Sequence, residues 1–259
     1  TDHIWGTFTF LFLFASCEKL YRKTFPNFIS IKNLFNPKGY SSKLYSNNYT
    51  VGIVFACCTF AFIPIFYFAV QKSGNYIAYD YLDLSFMLTS SPWLYLFFSG
   101  LADSFSIVIP YVLLVLLLHL FIRSKSTTVF ISAIIAGFFS SSIYNIIDID
   151  PIFINTIYFF IIGLISGYML FNYGILSLLV YHFCLPMFAV SFKYFYTGQV
   201  NYITTGAILI LLLLSPTLYS IIAYIKHRTT TNIKSLLNSA ENITEKEIVE
   251  PPISQILPL

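Results

Sequence analysis

The stretch Ile152-Phe-Ile-Asn-Thr-Ile-Tyr-Phe-Phe-Ile-Ile-Gly-Leu-Ile-Ser-Gly-Tyr-Met-Leu-Phe171, followed across Asn172-Tyr173 by Gly174-Ile-Leu-Ser-Leu-Leu-Val-Tyr-His182-Phe-Cys-Leu-Pro-Met-Phe-Ala-Val-Ser-Phe192, decides the fold class. Each run is continuously apolar for roughly 20 residues, the length at which an α-helix rising about 1.5 Å per residue crosses roughly 30 Å of hydrocarbon. Neither run alternates with the period of two expected of membrane strands. Working outward, further apolar runs cover Val129–Ile147, Trp93–Ile122, Thr50–Gln71, Ile4–Cys17 and Ile203–Ile225. The Trp93–Ile122 run is too long for a straight crossing, and Pro110 inside it predicts a kink or an interfacial piece before the true span.

Composition agrees with this reading. Of 259 residues, 57% are hydrophobic, 19% aromatic and only 10% charged, against roughly a quarter charged in ordinary soluble domains. Mean hydropathy is +0.76. A water-soluble fold has too little interior to hide so much apolar surface, which excludes a soluble enzyme, a coiled coil or a disordered chain. A net charge of +3 is too small to point to a polyanion, so no nucleic-acid partner is expected. The expectation is an all-α polytopic membrane helix bundle of about seven segments, with the lipid bilayer as its first partner.

Charge placement tests the map. Seven alternating spans put Lys19, Arg22, Lys23, Lys32, Lys38, Lys43, Arg123, Lys125, Lys226, Arg228, Lys234 and Lys246 on one side, 12 of the 14 basic residues. Lys72 and Lys193 fall opposite, with Asp80, Asp83, Asp148 and Asp150. The positive-inside rule places the basic side in the cytoplasm or its organellar equivalent, so the membrane is a bacterial cytoplasmic or organellar inner membrane. Five regions follow: a truncated or processed first membrane segment over 1–17, a basic cytoplasmic loop over 18–49, a span with an acidic outer loop over 50–92, a transmembrane core over 93–228 and a flexible polar tail over 229–259. Within the tail, Ile233, Leu236, Leu237, Ala240 and Ile243 make a short amphipathic pattern.

Ionisable groups at membrane depth are the best functional pointers, because burying one costs several kcal/mol unless it is paired or used. Asp103, His119 and His182 qualify, with Tyr144, Asn145 and Ser140-Ser141-Ser142 near one face. Asp103 falls near an interface and His119 near headgroups, four residues before Arg123. His182 sits midway along its run and must either find a partner on a neighbouring helix or line a wet cavity. Cys17, Cys57, Cys58 and Cys184 lie in or beside apolar runs, where cysteine acts as a small hydrophobe, and no Cys-His spacing reads as a metal site.

The stretch Ile161 to Phe183, with a glycine-bearing helix leading through a glycine turn to a helix carrying His182, resembles the last motif region of the CAAX protease and bacteriocin-processing (CPBP, or Abi) intramembrane proteases. The basic segment from Cys17 to Phe35 and the lead-in Ser91-Pro-Trp-Leu-Tyr95 extend the resemblance to about Arg228. The resemblance implies a Glu-Glu-x-x-x-Arg motif, a Phe-x-x-x-His motif and a final His-x-x-x-Asn/Asp on separate helices. There a glutamate activates water and histidine and amide groups stabilise the oxyanion; whether a metal takes part is left open by the motifs.

This chain departs from that pattern at nearly every such position. The first motif falls on Ala102-Asp103-Ser104-Phe105-Ser106-Ile107, the second on Phe139-Ser-Ser-Ser-Ile143, and the third keeps His182 but has Pro186 in place of the polar residue. A rival match, Glu18-x-x-x-Arg22, has the internal spacing but lies in the basic loop, far from the core motifs. Asp103 and His182 are therefore the candidate catalytic pair of a vestigial or remodelled site, with Tyr144 and Asn145 as candidate substrate contacts and no cofactor assigned. An aspartate in place of glutamate misplaces the carboxylate, and about 1 Å can cost a hundredfold in rate. The expected function is a non-catalytic accessory or scaffold subunit of this fold. An active intramembrane peptidase with a remodelled Asp/His site is the alternative, and a transporter component a weaker one, since no inverted repeat is evident. The excess of 28 phenylalanines and 20 tyrosines suits packing against other membrane proteins, though AT-rich coding bias yields the same composition.

Overall fold

A computed structural model of the chain describes residues 2–34, 42–73, 76–79, 91–143, 147–150, 152–196, 198–227 and 237–238. Helices α1 (Asp2–Thr24), α2 (Lys43–Lys72), α3 (Pro92–Ile122), α4 (Lys125–Ile143), α5 (Ile152–Tyr196) and α6 (Val200–His227) make up nearly all of it. A short 3-10 turn at Ile31–Asn33 follows α1. The architecture is helical, as the uninterrupted apolar runs require.

Local chemistry explains the boundaries. Ser42 caps α2, its Oγ accepting the Tyr45 N–H at 3.2 Å, one of the orphan donors every helix start leaves. Pro92 opens α3, where its missing N–H is harmless, and α3 ends where Arg123 turns left-handed at φ 59°. Pro110 does not divide α3: the helix runs unbroken for 31 residues, about 45 Å at 1.5 Å per residue. It therefore reaches past the hydrocarbon at one or both ends.

The 45-residue α5 is the centre of the fold, and it is not one rod. Gly174 adopts φ 81° and ψ −177° inside it, a region essentially closed to residues with a Cβ. Ser166 and His182 lie eight positions either side of Gly174 and share a hydrogen bond of 3.0 Å. On a straight helix they would stand about 24 Å apart, so α5 folds back on itself as a helical hairpin. Its first arm runs to Tyr173 and its second from Gly174 to Tyr196.

The remaining helices wrap the hairpin. Glycines bring α4 close to the first arm: a Cβ on Gly163 would lie 2.9 Å from Ala133 Cα, and one on Gly137 3.0 Å from the Thr156 carbonyl. Helix α2 lies along the second arm, with Phe60 stacked on Phe192 at 5.0 Å between ring centroids. Helix α3 meets that arm through Phe97 and Phe183, edge to face at 5.3 Å. Helix α6 is tied to α2 where the buried Tyr49 hydroxyl donates to the Leu213 carbonyl at 2.9 Å.

Burial follows this arrangement. Of the most apolar window of α5, 67% is buried, against 22% for α2 and α6 and 28% for α3. The outer helices turn large apolar side chains outward, Phe12, Phe68, Phe121 and Phe138 among them. Water would tolerate no such continuous apolar exterior, whereas lipid matches it. Among the described residues, α2, α3, α5 and α6 are long and apolar enough to cross a membrane, and the chain reads as an integral membrane protein.

The two ends of the bundle differ. The α1 end, the α3–α4 turn, the α5 reversal and the described tail residues meet at one end, through Phe25 against Phe171 at 5.5 Å, His119 against Phe171 at 5.0 Å and Asn238 on the Phe25 carbonyl. Exposed Lys19, Lys23, Arg123 and Lys125 belong to these segments, with Lys32 in the turn that follows α1. At the other end a two-stranded antiparallel ribbon, β1 (Tyr76–Tyr79) with β2 (Ile147–Asp150), pairs Tyr76 with Asp150 and Tyr79 with Ile147. The sequence reading had only loops there, because four-residue strands carry no usable periodicity. All four cysteines are free, Cys17 and Cys184 buried and Cys57 and Cys58 exposed.

The reversal yields a direct prediction. A Cβ on Gly174 would meet Tyr21 Oη at 2.8 Å and Phe28 Cγ at 3.0 Å, besides forcing a conformation costing about 1–3 kcal/mol. Gly174→Ala is expected to lower the unfolding midpoint of the detergent-solubilised protein by several degrees, while Gly198→Ala, whose glycine faces open space at φ 69°, lowers it less.

Candidate functional site

The polar groups of the membrane interior gather around the α5 hairpin at mid-depth. Ser166 stands on the first arm, two per cent exposed, and its Oγ meets His182 Nε2 on the second arm. Beside it, Tyr111 of α3 donates its hydroxyl to the Gly163 carbonyl at 2.7 Å and lies 3.4 Å from Ser132 Oγ of α4. Ser132 in turn donates to the Val129 carbonyl of its own helix at 3.0 Å. Next to His182, Tyr181 donates to Thr59 Oγ1 of α2 at 3.3 Å. Thr59 of α2, Tyr111 of α3, Ser132 of α4, Ser166 of the first arm and Tyr181 and His182 of the second thus contribute to a polar layer across the bundle.

Glycine makes the layer possible. A Cβ on Gly167 would come within 3.1 Å of Tyr111 Oη, so a larger residue would push the phenol off the Gly163 carbonyl. Gly163 and Gly167 are spaced as Gly-x-x-x-Gly inside an apolar run, the pattern that lets membrane helices approach closely. That spacing was the available signal for Tyr111, Ser132 and Ser166, none of which stood out as site residues in the sequence. Which hydroxyl from another helix would use the opening is invisible in one-dimensional pattern.

The candidate residues separate in space. His182 is half-buried with Ser166 as its hydrogen-bond partner. Asp103 is exposed on α3, and its carbonyl accepts from Ser106 Oγ at 2.8 Å. Among the described residues the Asp103 carboxylate has no ion pair and no hydrogen bond to His182. The buried positions around it on α3 are Gly100, Ser104 and Val108, one residue round the helix. At the other motif positions, Ala102 and Pro186 are exposed and Ile107 half-buried. Tyr144 and Asn145 lie outside the described residues, as do the side chains of Ser140-Ser141-Ser142. His119 reaches Thr128 Oγ1 of α4 with Nδ1 at 3.3 Å, and Arg22 forms an ion pair with Glu18 one turn earlier at 2.6 Å.

Chemically, the Ser166–His182 contact has the spacing of a nucleophile and its base. Among the described residues no carboxylate hydrogen-bonds the imidazole, and Ser166 is closed between the arms. A general base needs its proton donor within reach and a substrate beside it; here both partners face each other instead. Among the described residues no group of three or more His, Cys, Asp or Glu side chains is placed to hold a metal ion. Compared with known protein families, with characterised proteins and with solved structures, the chain matches none.

The layer makes a stability prediction. Buried interhelical hydrogen bonds in membranes contribute about 1 kcal/mol. Ser166→Ala and Tyr111→Phe are each expected to destabilise the solubilised protein by about that much. A Ser166→Ala/His182→Ala double-mutant cycle should give a coupling near the same size, read from unfolding in mixed micelles; additivity would mean that the two side chains do not bond.

Proposed function

We propose that this chain is a seven-crossing integral membrane protein with a CPBP-like core whose peptidase groups have been lost, and that it serves as a non-catalytic accessory or scaffold subunit. The observation that carries the reading is the disposition of the two surviving motif residues. His182 is engaged across the α5 hairpin by Ser166, while Asp103 is exposed on α3 and, among the described residues, shares no hydrogen-bond partner with His182. A water-activating carboxylate and an oxyanion-stabilising histidine have to face the same scissile bond.

The crossings are α1, α2, α3, α4, the two arms of α5, and α6. Each arm of α5 has about the 20 residues a crossing needs, and an alternating path through them brings the basic segments to one end. By the positive-inside rule that end, with the tail, faces the cytoplasm or its organellar equivalent, in a bacterial cytoplasmic or organellar inner membrane. The aromatic outer faces of α3 and α4 offer stiff surface to lipid or to neighbouring membrane helices.

Two substitutions test the reading in native membranes. Asp103→Asn and His182→Gln are expected to leave complex formation and the phenotype unchanged at equal protein abundance, and to alter no pattern of newly formed peptide termini. Loss of a specific cleavage with either variant, with folding intact, would establish a remodelled peptidase instead.

A further inference from the structure

The reversal at Gly174 breaks the helical hydrogen-bond ladder, and one of its freed donors is met from elsewhere in the chain. The Ile175 N–H, first in the second arm after the break, donates to the Tyr21 hydroxyl on α1 at 3.0 Å. Tyr21 is fully buried, 154 residues away in sequence. Phe28 closes the other side of Gly174, near enough that an added Cβ would touch its ring. Phe25 bridges the two, 5.3 Å from Tyr21, 5.5 Å from Phe28 and 5.5 Å from Phe171 at the end of the first arm. The turn is therefore held by Tyr21 and by the segment that follows α1.

That segment is held in its turn. Beyond Thr24 the chain leaves the helix, and its carbonyls need donors that a helix no longer supplies. Asn238 provides two: Nδ2 donates to the Phe25 carbonyl at 2.7 Å, and the backbone N–H to the Phe28 carbonyl at 3.1 Å. Leu237 pairs with Ile29 in an antiparallel bridge. Asn238 is completely buried, while its Oδ1 has no hydrogen-bond partner among the described residues. An unmet acceptor offsets part of what the two donors contribute.

We propose that Leu237–Asn238 is a strap: Asn238 fixes Phe25–Ile29, and Phe25–Ile29 together with Tyr21 locks the Gly174 turn, so that release of Asn238 loosens the hairpin that carries Ser166 and His182. The lock lies at the basic end of the bundle, with Tyr21, Ile175 and Asn238 all buried, so its amides meet water when it opens. The inference needs no catalytic role for the hairpin and stands or falls separately from the proposed function.

Hydrogen exchange on the full-length protein in lipid nanodiscs tests it. Asn238→Ala and Tyr21→Phe are each expected to raise exchange of the amides at 175–178 by about tenfold, the effect of losing one well-made buried hydrogen bond. Because both act on one lock, the double variant should exchange little faster than either single one. Coupling is reciprocal, so Tyr21→Phe should also speed exchange at Leu237 and Asn238, which supplies the measurement if Asn238→Ala does not fold. Should Asn238→Ala loosen only Phe25–Ile29 and leave Ile175 at its wild-type rate, or should the two substitutions multiply, the tail is a local clasp and the proposal is overturned.

Discussion

A chain that reverses direction while buried in protein has no water to satisfy the backbone it exposes. The turn of α5 at Gly174 is where this constraint bears hardest. Only a residue without a Cβ reaches φ 81° with ψ −177° cheaply, and only an outside acceptor, the Tyr21 hydroxyl, meets the Ile175 amide. The rest of the bundle is organised around the consequence. Two antiparallel arms create a central pair of helices buried on most sides, and α2, α3, α4 and α6 each find a face of that pair to cover. The same antiparallel geometry brings residues eight before and eight after the turn together, which is how Ser166 comes to hold His182.

Much of this was legible in sequence, for simple reasons. Apolar runs mark membrane-length helices because hydrocarbon thickness sets their length, and four of the helices among the described residues reach it. Helix boundaries were less legible. The apolar run beginning at Thr50 is the more apolar part of a helix that starts at Lys43, extended by Leu44, Tyr45, Asn48 and Tyr49, which pack or hydrogen-bond against other parts of the chain. Pro110 pointed to a kink or a separate interfacial piece, and α3 continues through it as one helix, since neighbouring helices can support a membrane helix around a freed carbonyl.

The site was harder to read than the spans. Periodicity tells which residues share a face of one helix, not which helix that face will meet. His182 stood out because an imidazole at mid-membrane is costly alone, but its partner is an ordinary serine in a glycine-rich stretch. Asp103 stood out for the same electrostatic reason, and its place on the outer side of α3 follows from a single step of about 100° along the helix from the buried row of Gly100, Ser104 and Val108. A hundred degrees separates a catalytic carboxylate from a surface one, and composition carries no trace of it. The short ribbon and the docked Asn238 depend on contacts between segments far apart in sequence, which local pattern cannot encode.

The close approach of α4 to the first arm of α5 has a further effect on traffic through the bundle. With Ala133 seated against Gly163 and Val129 against Gly167, the seam between these helices is too narrow for an acyl chain or a foreign transmembrane segment to slide through sideways. Anything entering laterally from the lipid would have to part helices elsewhere, such as at the Phe97–Phe183 contact of α3 with the second arm. On this side the polar layer is sealed by its smallest residues.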